Sequence, residues 1–296
     1  MQQVNCSNTS LFAQVFPVKT AGSAVLGLCF VLGVPANLTV LGILIQQWKE
    51  NNFTLKLMMS LAVSDLLNLL PIPMWIWANL HGWNFVSTSC KIISYVDYWC
   101  FYCSLLCVTL MSVQRFLQVL HPQKLSKLGT KGENGLLSGI WILSGVLSSY
   151  IPLEYDVGFE QYGLQDCYKI FRDDTDKVVV SFVEILVFFI CFFLLVFLYY
   201  CLHRGVNETS FNSSSRTTKL VARICVLFFI LGVLVVITDI LNIIAKFLKN
   251  QSLSTTTTYL VTIVETLELL NSCVNPFLYT FSHGGLHRCS SVLEHR

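Results

Sequence analysis

Charge is scarce in this sequence: Asp, Glu, Lys and Arg make up only 12% of its 296 residues, against about a quarter in soluble domains. That deficit, with long uncharged runs and a mean hydropathy of +0.63, points to lipid as the solvent. No basic patch is present, which excludes a nucleic-acid-binding surface. Met1 to Thr20 is polar and has no apolar core of the signal-peptide kind, so the first membrane span is expected to serve as its own insertion signal. No internal repeat is visible, which argues against a transporter or proton pathway. The six histidines (His81, His121, His203, His283, His287, His295) fall at predicted span edges, in loops or in the tail. None forms a metal or nucleophile constellation with a cysteine, so the chain is not expected to be an enzyme.

Long apolar stretches are abundant. A spanning helix needs about 20 mostly apolar residues to cross about 30 Å of hydrocarbon. Seven stretches qualify, at 20–46, 55–79, 90–119, 134–153, 177–203, 219–246 and 257–281. Backbone groups in lipid must be satisfied within the segment, so each should be a helix. The expected fold is an all-α membrane protein, a seven-transmembrane helix bundle with a short amphipathic eighth helix near 283–293 on the membrane surface. The domains are then an N-terminal segment 1–19, the bundle 20–281 and a tail 282–296.

Orientation follows from the cations. With the N-terminus outside, twelve lie on the cytoplasmic side: Lys49, Lys56, Arg115, Lys124, Lys127, Lys131, Arg204, Arg216, Lys219, Arg223, Arg288 and Arg296. The other seven, Lys19, Lys91, Lys169, Arg172, Lys177, Lys246 and Lys249, lie outside. The positive-inside rule favours an extracellular N-terminus in the plasma membrane. Sequons at Asn5 and Asn8 suit that side, whereas those at Asn37, Asn52, Asn207 and Asn212 cannot be used in this topology.

Most of the twelve cysteines fall inside predicted helices, as small apolar residues do. Cys90 and Cys167 are different: both sit at the outer, oxidising side, where a disulfide would pin the loop after span four to span three. The alternative is two free surface thiols. Cys6 has no evident partner, and Cys289 in the tail is a palmitoylation candidate, the alternative being a free cysteine.

Six acids fall within the spans: Asp65, Asp97, Glu184, Asp239, Glu265 and Glu268. A carboxylate at the bilayer centre costs about 2.5–3.5 kcal/mol, so such residues point to a functional site. In span three, Asp97, Ser104 and Arg115 share one azimuth, with the two ends about 27 Å apart at 1.5 Å per residue. Span seven repeats the pattern with Glu265, Glu268, Ser272 and Asn275. Asp65, Ser104, Asn271, Ser272 and Asn275 can therefore converge on one buried pocket. Such an oxygen set suits a small cation, and it equally suits a structural hydrogen-bond network.

The ordered motifs resemble those of the rhodopsin-like G-protein-coupled receptors. They are Gly33-Val34-Pro35-Ala36-Asn37, Leu61-Ala62-Val63-Ser64-Asp65, Trp83-Asn84-Phe85, Cys90 placed 25 residues before Arg115, Trp141, Tyr200 and Asn275-Pro276-Phe277-Leu278-Tyr279. Further stretches look like the leukotriene B4 receptors and related chemoattractant receptors: Gln123-Lys124-Leu125, Gly139 to Ser144, Arg216 to Val221, and Ser272 to Pro276 with Gly284-Gly285-Leu286. The resemblance implies that Arg115 holds the inactive state and then contacts a heterotrimeric G protein of the inhibitory class. It implies an allosteric sodium ion, and no other cofactor, at Asp65, Ser104, Asn271, Ser272 and Asn275. Tyr200, Pro276 and Tyr279 belong to the switch region, and the outer half binds a lipid or peptide ligand. The ligand residues expected there are Asp97, Tyr98, Glu184, Asp239, Glu265, Glu268 and Arg172. Span seven has no lysine for a retinal Schiff base, so an opsin is not expected.

The sequence departs from the family pattern at its switches. Gln114-Arg115-Phe116 stands where an acid, Arg and Tyr are usual, and Gln cannot form a charged pair with the arginine. Span six has neither Trp nor Pro, with Val236 and Thr238 in their places, and Phe192 stands at the usual proline of span five. Without that identified cause of bending, spans five and six are expected to be straighter. The first change is expected to raise basal signalling and the second to blunt the agonist response. A decoy receptor that binds without signalling is therefore the alternative function. Leukotriene B4, an anionic lipid, wants buried bases, whereas the spans offer acids. A cationic or peptide ligand fits them, as does a structural role in which the acids are neutralised or paired with one another.

Overall fold

Two prolines and one disulfide determine where the long helices break and what covers one end of the bundle. The computed structural model describes residues 6–47, 52–159, 165–170, 174–208, 215–248 and 251–282. Span one is α1 (Cys6–Gln46). Span two is divided into α2 (Phe53–Leu69) and α3 (Ile72–His81). Span three is α4 (Ser87–Leu120), followed by the short α5 (Pro122–Ser126). Span four is α6 (Gly129–Leu147) with the single turn α7 (Ile151–Glu154). A hairpin, β1 (Tyr155–Phe159) and β2 (Gln165–Lys169), precedes α8 (Asp174–Glu208), α9 (Ser215–Phe247) and α10 (Gln251–Ser282).

The single helix expected over 55–79 is two, because Pro71 has no N–H to continue the ladder; it stands at the N-cap of α3, and Pro73 occupies that helix's first turn. The one expected over 134–153 likewise ends at Ser148, whose N–H and hydroxyl both bond Ser144 O, before Pro152. α1 begins earlier than the expected 20. No glycine interrupts 6–20, and Pro17 removes only one backbone bond. The expected helix at 283–293, and with it Cys289, lies outside the described residues.

Among the described residues, five helical stretches are long and apolar enough to cross a membrane: Phe16–Gln46, Phe53–His81, Ser87–Leu120, Gly129–Glu154 and Val178–Cys201. Phe229–Ala245 in α9 is a shorter apolar stretch. α10 is less apolar because it carries Thr255 to Thr258, Glu265, Glu268, Asn271 and Asn275. Large apolar side chains such as Leu28, Val31, Phe182, Phe193 and Phe197 are exposed on the bundle's outside, as a lipid-facing surface requires.

α4 is the hub. It packs on α2, α6, α7, α8, α9 and β1. Its inward face, Cys103, Cys107, Val108 and Met111, meets Leu57, Met58, Leu61 and Ala62 of α2 in one buried cluster. Trp141 of α6 ties in by donating to Ser60 Oγ at 2.9 Å, and Trp99 of α4 donates to Trp141 O at 2.9 Å. α1 packs on α10, where Leu26 and Cys29 meet Cys273 and Leu69.

α8 and α9 run unbroken over 35 and 33 residues. Phe192 stacks on Phe229 with ring centroids 4.2 Å apart, and the Phe188 ring fills the space beside Gly232. A Cβ at Gly232 would lie 2.0 Å from Phe188 Cε2. Overpacking of this kind costs about 1–3 kcal/mol. Gly232→Ala is therefore expected to lower the apparent Tm of the detergent-solubilised protein, read with a thiol-reactive dye on the buried cysteines. An unchanged Tm would show that the Phe188 contact does not hold α8 to α9.

Candidate functional site

Three polar layers follow one another along the bundle interior. The first is at the hairpin end. Cys90 and Cys167 form a disulfide with Cα atoms 5.7 Å apart. The bond lies in a buried cluster with Trp83, Ala78, Ile151 and Tyr155. Trp83 is fully buried, and its backbone N–H donates to Gln165 O at 2.8 Å. The hairpin is antiparallel, Tyr155 facing Lys169 and Val157 facing Cys167. Two ion pairs fix its edges: Lys19 of α1 with Asp166, and Lys91 of α4 with Asp156. Hydrogen bonds from Ser87 and the Val157 N–H, then Lys91, pull the Asp156 carboxyl down to about 2. The contribution of that contact is complete above the ordinary carboxylate range and is lost only as pH falls toward 2.

The hairpin delivers Lys169 into the bundle. Its ammonium lies 2.9 and 3.3 Å from the two oxygens of Glu184 in α8 and 4.9 Å from the Tyr98 ring centroid. The Tyr150 hydroxyl also donates to Glu184. Burial alone would lower the Lys169 pKa, but the charge of Glu184, with Tyr155 and Asp239, holds it well above the usual lysine range. In the sequence Lys169 is only one of the seven cations expected outside, with no partner assigned. The hairpin's register against α4 and α8 sets its position.

Around this pair lie the other predicted acids. Asp97 Oδ2 accepts from Trp75 Nε1 at 3.0 Å, while Asp97 Oδ1 is buried with no hydrogen-bond partner among the described residues. Asp97 is within electrostatic reach of Glu265. Glu268 is within reach of Glu265, Asp239, Glu184 and Lys169. Asp97, Tyr98, Glu184, Asp239, Glu265 and Glu268 are thus brought together, five carboxylates and, among the described residues, one lysine; Glu184, Asp239 and Glu268 lie within reach of Lys169, and Asp97 joins the group through Glu265. Arg172 lies outside the described residues. Trp75 and Tyr150 were missed; each is a polar tip in an aromatic-rich stretch, which gives no signal by itself.

The second layer surrounds Asp65 in α2. Asn275 Nδ2 donates to Asp65 Oδ2 at 2.9 Å, and the Ser272 hydroxyl also bonds this carboxylate. Ser104 bonds Ser64 at 2.9 Å. Asn68 donates to Ser272 Oγ at 3.1 Å, and Asn37 donates to Gly33 O and Ser272 O, both at 3.0 Å. Asn37, Ser64 and Asn68 were not expected here, although a polar residue in an apolar run is a visible signal. Asp65 Oδ1, Asn271 Oδ1 and Asn275 Oδ1 are buried and lack hydrogen-bond partners among the described residues. A carboxylate and two amide oxygens left unsatisfied form a hard-oxygen set, so the residues present fit a small cation.

The third layer is at the far end of α4. Arg115 is buried, with Nη1 donating to Gln118 Oε1 at 2.7 Å and Nη2 to Thr54 Oγ1 at 3.1 Å. Gln114 turns to Thr54 instead of pairing with the arginine. Tyr200 is exposed near the end of α8. Pro276 is buried within α10, one residue from Asn275. The side chains of Tyr279 and Asn8 lie outside the described residues, as does Asn5.

A multi-pass helical bundle with a disulfide-pinned hairpin over one end and a buried polar axis defines an integral membrane receptor class. Residues 36–279 match the family model for the 7 transmembrane receptor (rhodopsin family). The chain belongs to that family, whose members couple a ligand to a G protein. It is similar to human C-C chemokine receptor type 8, 27% identical over 276 residues, or 89% of this chain and 77% of that one. It is likewise similar to mouse atypical chemokine receptor 2, 27% over 265 residues, covering 87% and 70%. The G-protein coupled receptor homolog K2 of swinepox virus is 27% identical over 265 residues, covering 85% and 71%. These relatives are chemokine and viral receptors, and the finer likeness to leukotriene B4 receptors finds no support in them.

Breaking a buried pair costs more than deleting it. Lys169→Met leaves Glu184 without its cation and is expected to cost about 3–5 kcal/mol. Adding Glu184→Gln should recover most of that loss. A thermal-unfolding double-mutant cycle reads the coupling, and additive losses would show that the pair is not coupled.

Proposed function

We propose that this protein is a plasma-membrane receptor for a basic polypeptide of the chemokine kind. Its N-terminus and hairpin face outside, and Arg115 faces the cytoplasm and a heterotrimeric G protein. The single observation that carries this reading is the group of five carboxylates against Lys169, whose charge is already matched by Glu184. A cationic segment entering there would meet Asp97 Oδ1, Glu265 and Glu268. An anionic lipid such as leukotriene B4 would meet the same acids beside a Lys169 already paired with Glu184, so that ligand is disfavoured. The chemokine receptors among the relatives support the polypeptide reading. Coupling to the inhibitory class of G protein rests on the chemoattractant resemblance.

The test is saturation binding on cells that display the receptor, with a panel of basic chemokines and with leukotriene B4. A chemokine should bind, and Glu265→Gln with Glu268→Gln should weaken it by about tenfold or more, the size expected for lost charge pairs in a partly desolvated site. Binding of leukotriene B4 alone would overturn the reading.

A second reading, capture of the ligand without signalling, is favoured by one observation: among the described residues Arg115 has only neutral partners. Ligand-dependent nucleotide exchange on the G protein separates the two. Binding without exchange supports the decoy.

We also propose that sodium is held at Asp65, Asn271 and Asn275, with the Ser104 and Ser272 hydroxyls nearby. The ion would supply positive charge to buried oxygens that otherwise lack partners. Sodium should then raise the apparent Tm relative to potassium, following the linkage of ligand to stability. Asp65→Asn should abolish the difference, and an equal sodium effect in wild type and variant would remove the ion from this site.

A further inference from the structure

We infer that Thr54 is the positioning residue for Arg115: an uncharged clasp of Thr54, Gln114 and Gln118 holds the arginine inside the bundle where a carboxylate is absent. The inference deepens the proposed function, since it concerns how the G-protein end is kept closed. It rests on the geometry at the start of α2.

Thr54 is placed there by its own backbone. Asn52 caps α2, its Oδ1 accepting from Thr54 N at 2.9 Å. That cap fixes the first turn of the helix, and with it the Thr54 side chain. Lys56, one half-turn on, anchors the same turn to α6 through Glu133 at 2.9 Å and Asn134 at 3.3 Å. The Thr54 hydroxyl then faces α4.

A hydroxyl has two acceptor positions and one proton. Gln114 Nε2 lies 2.9 Å from Thr54 Oγ1 and Arg115 Nη2 lies 3.1 Å from it. The Thr54 proton can point to Gln114 Oε1, at 3.2 Å. Every capacity of that oxygen is in use. Gln118 Oε1, one turn further along α4, takes Arg115 Nη1 at 2.7 Å. Among the described residues no carboxylate lies within 4.0 Å of the guanidinium, and Arg115 Nε is buried with no partner. The arginine is therefore restrained by two neutral oxygens. Hydrogen bonds from Arg to a carboxylate are shorter and stronger than those to a neutral acceptor. The clasp is weaker than a charged lock and is insensitive to titration of any acid. Its centre is Thr54, because removing that hydroxyl releases Arg115 and Gln114 together.

The test uses the full chain in detergent with two readouts. One is modification of Arg115 by phenylglyoxal, quantified by mass spectrometry, which needs no G protein. The other is ligand-free nucleotide exchange on an added inhibitory heterotrimer. Thr54→Val keeps the shape and removes the hydroxyl; Thr54→Ser keeps the hydroxyl. Valine should raise Arg115 labelling and basal exchange about three- to tenfold, and serine should leave both at the wild-type level. Gln118→Leu, which spares α2, should shift labelling in the same direction by less. Raised labelling in valine but not serine, with no exchange in any variant, upholds the clasp while removing G-protein activation from the proposed function. Equal labelling in wild type and valine, or serine behaving like valine, overturns the inference.

Discussion

The disulfide between Cys90 and Cys167 is the constraint on which the hairpin end depends. It joins the start of α4 to β2 across a sequence separation of 77 residues, and a closed loop of that size restrains the unfolded chain by about 4 kcal/mol in the chain-entropy account. Its structural consequence is local. With Cys167 fixed, strand alternation turns Lys169 to the same side of β2, and the hairpin register sets its depth. Trp83 and Ile151 close over the bond, and Lys19 reaches Asp166 from α1. The charge distribution at the hairpin end is thus set by a covalent bond.

Within the spans a second constraint operates. Polar groups in hydrocarbon must find partners in the bundle, so they gather along one axis. Asp97, Ser104 and Arg115 share a face of α4, and Glu268, Asn271 and Asn275 supply the facing groups from α10. The acid cluster, the Asp65 network and the Arg115 clasp occupy successive depths. The middle layer ties α1, α2 and α10 through Asn37, Asn68, Ser272 and Asn275, so a change at either end meets a network of shared hydrogen bonds. At the switch positions this chain replaces charge and proline with amide and aromatic contacts: Gln114 on Thr54, and Phe192 on Phe229.

Much of this was legible in the sequence. Apolar runs gave the spans, since lipid permits few alternatives to helix. The spacing of Asp97, Ser104 and Arg115 gave the buried face of α4, and the ordered motifs gave the family. Helix breaks were less legible: Pro71 and Pro152 sit inside apolar runs, and hydropathy does not register a lost N–H. The Lys169–Glu184 pair was hidden because strand register is set by long-range pairing. Thr54 was hidden for another reason. A threonine in the first turn of a helix is ordinary, and only the packing of α2 on α4 makes it the acceptor for Arg115. The leukotriene likeness came from short local stretches and carried no information about the charge of the cavity.

Selection of a basic ligand by a net-negative cavity, the function proposed above, makes the ligand's association depend on salt. The most direct measurement is the association rate of a bound chemokine as ionic strength is raised from about 0.05 to 0.3 M, across which the screening length shortens from about 14 to about 6 Å. Electrostatic steering predicts that the rate falls by about tenfold in the wild type, and much less when Glu265→Gln and Glu268→Gln are combined. A rate independent of salt, or equally dependent in the variant, would contradict selection of the ligand by the charge of this cavity.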